Sequence, residues 1–166
     1  MWSNNTLLTK VLISMETVES LPKIVPAGTG TTYDIMGHEV TVKMHSSDAS
    51  DVLIFELVSP PGSGIPLHVH SQEDEFIRIL EGEFTVTMGG EVFVAKAGDQ
   101  LNFLRNIPHG YVNTGTVPTR SIWFITPGKN QEHFFDALKL FPPGPPDLAR
   151  IARLNEEHGQ KLLITN

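Results

Sequence analysis

Cysteine is absent from the chain. That excludes disulfides, a thiolate nucleophile, and the sulfur ligands of zinc fingers and iron–sulfur clusters. Any metal must be held by nitrogen and oxygen. Basic residues are also scarce, with 12 lysines and arginines against 19 acids for a formal net charge of -7. No basic cluster is there to offset phosphate repulsion, so nucleic acid and anionic membrane are poor partners. No apolar run reaches the length of a membrane span, and the opening "MWSNNTLLTKVLISMETVES" lacks a charged region followed by a small-residue cleavage site. A cytoplasmic location is the expectation.

What is present is one domain's worth of core, since 166 residues at 40% hydrophobic content are too few for two ordinary domains. From about Thr32 to Thr126, short β-branched and aromatic runs alternate with turn residues. "EVTVKMH" (39–45), "DVLIFELVS" (51–59), "FIRIL" (76–80), "EFTVTM" (83–88) and "RSIWFIT" (120–126) read as strands. "PPGSG", "GG" and "NTG" read as turns, with Gly89-Gly90 suited to a tight hairpin. Many short strands with close turns predict a sandwich or barrel. Residues 129–166 then change to helical spacing, "QEHFFDALKL" (131–140) and "DLARIARLNEEHG", the latter with Leu148, Ile151 and Leu154 on one face and Gly159 as its stop. The expected organisation is an extension over 1–30, a β-barrel over 31–128 and helices over 129–166. Within the extension, "TLLTKVLIS" is expected to form a strand on a partner chain, and Met15 is an alternative start.

The chemistry concentrates in "GSGIPLHVHSQEDEFIRILEGEF", from Gly62 to Phe84. On an extended strand, residues two apart share a face, so His68 and His70 project together while Val69 points away. Glu75 opens the next run and is expected to return beside the histidine strand with its carboxylate on the same face. By the same parity Asp74 points away, whereas Glu73 falls in the turn and is read as solvated. In "AGDQLNFLRNIPHGYVNTG", His109 begins another short strand and supplies a fourth candidate ligand. His38, His45, His133 and His158 have no ligand partners at useful spacing, and His158 is expected to meet the carbonyls at its helix end. Phe55, Phe84, Phe103, Tyr111, Trp123 and Phe124 are expected to fill the barrel interior, some of them lining a pocket.

These motifs resemble the cupin family. Its first motif is a glycine, five residues, His-X-His, three or four residues, Glu, six residues and Gly, filled here by Gly62, His68, His70, Glu75 and Gly82. Its second, a glycine, five residues, Pro-X-Gly and then His with Asn four positions on, is matched by Gly90, Gly98, His109 and Asn113, with Lys96 in the place of the proline. The resemblance spans roughly residues 35–128. It implies an all-β fold, a conical cupin barrel (double-stranded β-helix or jelly roll) with a C-terminal helical extension here. It also implies one divalent transition metal per chain, iron, manganese, nickel, cobalt, copper or zinc, held by His68, His70, Glu75 and His109.

Length, metal motif and C-terminal extension together resemble the small bacterial proteins related to quercetin 2,3-dioxygenase. That resemblance implies a metal-dependent dioxygenase, with Glu75 as the base that takes the hydroxyl proton of a flavonol or similar enolisable aromatic substrate, and dioxygen as co-substrate. Two other readings fit the same residues: a ligand-binding cupin without turnover, and an oxygen-independent isomerase or lyase. Because small barrels expose edge strands, a homodimer is expected.

Overall fold

The computed structural model describes residues 24–48, 50–141 and 147–163. The segment "TLLTKVLIS" and Met15 lie outside them. Ten strands precede the first helix: β1 (Thr31–Ile35), β2 (His38–Met44), β3 (Leu53–Ser59), β4 (Gly64–His70), β5 (Asp74–Glu81), β6 (Glu83–Met88), β7 (Glu91–Lys96), β8 (Gln100–Phe103), β9 (His109–Val112) and β10 (Thr119–Thr126). Helices α1 (Lys129–Leu138) and α2 (Leu148–Glu157) follow, and β11 (Gln160–Leu162) comes last. This is the all-β barrel with helical extension that the sequence predicts, with one addition. The region expected to be helical also returns to a sheet.

Two antiparallel sheets face each other, ordered β1-β2-β3-β10-β5-β8 and β11-β4-β9-β6-β7. Alternation explains the layering. Leu53, Phe55 and Leu57 on β3, Ile77 and Ile79 on β5, and Trp123 and Ile125 on β10 are buried, while the residues between them are half-buried or exposed. Trp123 stacks on Phe55 at 5.8 Å between ring centroids. Phe124 obeys the same parity and is 36% exposed on the outer face, a correction to its expected interior place. The Gly89-Gly90 hairpin forms as expected, both glycines having positive φ between paired β6 and β7.

Each helix has its own anchor. The Asp51 carboxylate accepts the amides of Gly128 and Lys129 at the start of α1, and Asp147 caps α2 by accepting the Arg150 amide. Gln131, Phe134, Phe135 and Leu138 form the buried stripe of α1, at the i, i+3, i+4, i+7 spacing of an amphipathic helix. Ile151 is buried on α2, and Leu154 packs against the core. The stripe of α1 closes one end of the barrel, which places both helices beside the site.

Candidate metal centre

His68 and His70 project from β4 into the barrel, and both are buried. Their neighbour β9 pairs with β4 so that His68 faces His109 across the ladder. Gly110 permits this approach, because a Cβ there would lie 2.9 Å from the Ile65 carbonyl oxygen. Glu75 arrives differently from expectation. Its strand β5 pairs with β8 and β10 in the opposite sheet, not with the histidine strand. Parity placed the carboxylate inward correctly, but the short turn at 71–73 crosses between sheets, so the cluster bridges the sandwich.

The ligand atoms of His68, His70, Glu75 and His109 all lie within 4.8 Å of one another. His68 Nε2 and His70 Nε2 face each other at 3.0 Å, His70 Nε2 is 3.7 Å from Glu75 Oε1, and His109 Nε2 is 3.4 Å from Glu75 Oε2. The other ring nitrogens are already used. His68 Nδ1 donates to the Pro66 carbonyl and His109 Nδ1 to the Ile107 carbonyl, each at 2.8 Å, while His70 Nδ1 bonds Glu73 Oε2 at 3.2 Å. With the hydrogens on Nδ1, the Nε2 lone pairs of His68 and His109 point at a common centre. His109 Nε2 is buried without a hydrogen-bond partner. Convergent lone pairs and a carboxylate repel one another unless a cation lies between them, and nitrogen and oxygen donors of this kind suit a divalent transition ion. The residues fit a metal.

The electrostatics of the cluster agree. Burial, then the neighbouring His70 and His109, lower His68 to about 4. Burial would raise Glu75, but the field of His70, followed by His109 and His68, outweighs it and brings the carboxyl down to about 2. Burial likewise opposes charge on His70, yet Glu75 and Glu73 override it and raise its pKa. When protonated, His70 places its Nε2–H between the bare His68 nitrogen and the Glu75 carboxylate, where a cation would act.

Around the cluster lies a cavity of about 150 Å³. Its wall is apolar and aromatic, with Phe55, Phe103, Tyr111 and Trp123 from the sheets and Phe134 and Phe135 from α1. Phe103 stacks on the His109 ring at 4.4 Å. His38, Gln131, Asn155 and Gln160 also reach this wall, but His38 bonds Ser59, Gln160 donates to Gln131, and Asn155 donates to the Ile151 carbonyl.

Several other sequence expectations resolve here. Asp74 points outward and pairs with Arg105, as parity predicts. Glu73 is not solvated: it is fully buried, bonded to His70 and to Asn130 on α1. Its shared parity with Glu75 was the available signal. The ring of His158 does not meet the helix-end carbonyls but bonds the Asn130 side chain. His45 is paired with Glu132.

The second motif also reads better one glycine later. Gly98, five residues, then Leu104-Arg105-Asn106 keeps the same spacing within the motif and brings its triplet directly before the Ile107-Pro108-His109 run, and Asn106 has a φ of 64° in the turn closed by the Ile107 amide on the Leu104 carbonyl. Asparagine tolerates that left-handed conformation, so it can take a position suited to glycine. Lys96 instead ends β7 with its amide on Asp99, a bond a proline would lack. Asn113 is a structural pin: its side chain donates to the Ser59 and Val117 carbonyls and accepts the Gly115 amide.

Residues 55–125 match the family model described as "Cupin domain". The chain carries a cupin domain, and its barrel has the double-stranded β-helix fold. Among curated proteins it is 33% identical over 95 residues to the quercetin 2,3-dioxygenase of Bacillus subtilis, a match covering 56% of this chain and 28% of that one. It is 34% identical over 77 residues to an uncharacterized protein of Methanocaldococcus jannaschii, covering 46% of this chain and 62% of the other. The chain therefore spans less than two thirds of both curated relatives. Among solved structures, a predicted oxalate decarboxylase from Thermotoga maritima aligns with a TM-score of 0.54 at 26% identity, covering 62% of this chain and 97% of that one.

Proposed function

We propose that this protein is a metal-dependent dioxygenase, acting with dioxygen on a flavonol or a similar enolisable aromatic substrate. One divalent transition ion would be held by His68, His70, Glu75 and His109. The observation that carries this reading is the convergence of four ligand atoms at the edge of an aromatic cavity. Among the described residues no lysine or arginine lines that cavity, so the bound ion would be the one cationic partner for an anionic substrate there. A neutral, flat, hydroxylated ligand suits the wall. The distant likeness to quercetin 2,3-dioxygenase supports the same class.

In this reading an ion held there would supply Lewis-acid stabilisation of negative charge on a substrate oxygen. The chain's residues do the rest. Glu75, whose carboxylate lies among the other candidate ligands at the cavity, accepts the substrate hydroxyl proton, a general-base contribution of about 10² to 10⁴ in rate. Phe103, Trp123 and Phe55 orient the aromatic plane and exclude water. A cavity of about 150 Å³ admits one six-membered ring, and because the cavity is partly open the rest of a three-ring flavonol would lie in its mouth.

An oxygen-independent isomerase or lyase is the second reading, and the likeness to a predicted oxalate decarboxylase from Thermotoga maritima supports its lyase form. A ligand-binding role without turnover uses the same cluster. Dioxygen uptake with quercetin, using protein reloaded with each candidate ion and Glu75→Gln as control, separates them. Uptake that needs both metal and Glu75 is expected. Turnover that persists under strict anaerobiosis would sink the dioxygenase reading.

We further propose a cytoplasmic homodimer, with residues 31–128 as its barrel, 1–30 as an extension and 129–166 closing the site. The exposed apolar Val92 and Val94 on β7, the last strand of the five-stranded sheet, support the association. A dimeric mass by light scattering at micromolar concentration is expected. A monomeric mass would overturn it.

A further inference from the structure

The three candidate imidazole ligands are not supported alike. His68 and His109 each donate Nδ1–H to the carbonyl two residues earlier, in Pro66 and Ile107. Those bonds form within the local chain segment. His70 has no backbone carbonyl partner of this kind, and its Nδ1 meets instead the side-chain carboxylate of fully buried Glu73, three residues on. Glu73 Oε1 in turn accepts Asn130 Nδ2 of α1 at 2.5 Å. The same amide donates to the His158 carbonyl at 2.7 Å, and Asn130 Oδ1 pairs with His158 Nδ1 at 3.0 Å.

The hydrogen bonding allows Asn130 one orientation. Both Nδ2 hydrogens meet acceptors, and Oδ1 meets an N–H. A flipped amide would aim its oxygen at a carboxylate and a carbonyl. A continuous path therefore runs from His70 through Glu73 and Asn130 to His158, at the end of α2. A second link runs parallel to it. β11 follows His158 and pairs with β4, with Gln160 opposite His70, and the Ser71 amide donates to the Gly159 carbonyl.

We infer that Glu73 and Asn130 are positioning residues that couple the orientation of His70 to the docking of the C-terminal α1–α2–β11 unit, so that metal binding tightens that unit and its loosening weakens the metal. This inference rests on the ligand role assigned to His70. A carboxylate behind a ligating imidazole commonly contributes 10- to 100-fold to metal affinity. Here the carboxylate is itself oriented by the unit that walls the cavity.

The test is Mn²⁺ and Co²⁺ affinity of metal-stripped full-length protein, by chelator competition, with hydrogen exchange of residues 148–163 with and without ion. In the wild type, metal should slow exchange across α2 and β11. Glu73→Gln should weaken binding about 10- to 100-fold, and Asn130→Leu about 10-fold. In Asn130→Leu, metal should no longer slow exchange in α2. His158→Ala removes an outer member at a half-buried position and should weaken binding a few-fold while leaving the barrel folded, which keeps the inference testable if the inner variants misfold. Wild-type affinity in folded Asn130→Leu and His158→Ala, or unchanged metal protection of α2 in both, would overturn the coupling. Absence of metal binding by the wild type would overturn the ligand assignment and the coupling with it.

Discussion

The two sheets divide the labour unequally. The five-stranded sheet brings all three imidazoles, two from β4 and one from β9. The six-stranded sheet brings Glu75 together with much of the apolar wall, Phe55, Phe103, Trp123 and Ile125. One sheet holds most of the donors and the other much of the ligand-facing surface. The cluster is complete only when the sandwich has closed, so packing and metal chemistry are coupled through a single carboxylate.

Substitutions on either side can separate those roles. The largest effect is expected from the imidazole side. His68→Ala or His109→Ala should reduce bound metal from about one ion per chain to near none while the far-ultraviolet circular dichroism stays that of the wild type. Unchanged metal stoichiometry in both would refute the cluster. Next is the carboxylate, where Glu75→Gln should lower turnover by about 10² to 10⁴, read by oxygen uptake at matched metal content. On the wall, Trp123→Ala should cost about 3–5 kcal/mol in denaturant unfolding by leaving a cavity beside Phe55. Metal stoichiometry in that variant should stay near the wild-type value, since no ligand is touched.

Protonation gives a smaller, graded effect. His70 has a raised pKa, so the metal-free protein holds a proton there below that value, and an ion must displace it. Metal affinity should therefore fall as pH drops through the raised pKa, with release of about one proton per ion, measured by calorimetry in buffers of different ionisation enthalpy. His68, already neutral above about 4, should add nothing to that release near neutrality. The smallest effect is expected outside the barrel, where Phe124→Ser should change stability by less than about 1 kcal/mol. A larger loss would show that this outer face is covered.

The sequence carried the inward-facing residues further than it carried their partners. Period-two alternation placed His68, His70, Glu75 and Asp74 on their correct faces, because strand parity is local. It could not place β5 in the opposite sheet, since which strands pair depends on contacts far apart in the chain. Glu73 was misread for a related reason: a turn acid is solvated by default, and only the arrival of α1, with Asn130, buries it. The return of the chain as β11 was hidden as well. "QKL" is too short for a strand signal and forms one only because the edge of β4 is there to pair with it. The aromatic residues were legible as core, except Phe124, whose neighbours Trp123 and Ile125 take the inward positions.

The pairing of β11 with β4 also has a consequence for the order in which a nascent chain can finish folding. β4 leaves the ribosome about ninety residues before its edge partner does. Until then, the backbone groups of the histidine strand on that side lack the partner that later covers them. An open strand edge is a template for pairing with another chain, and long-range closure of this kind is slow. Among the described strands that gain a later partner, the one that carries two of the imidazoles thus waits longest for it.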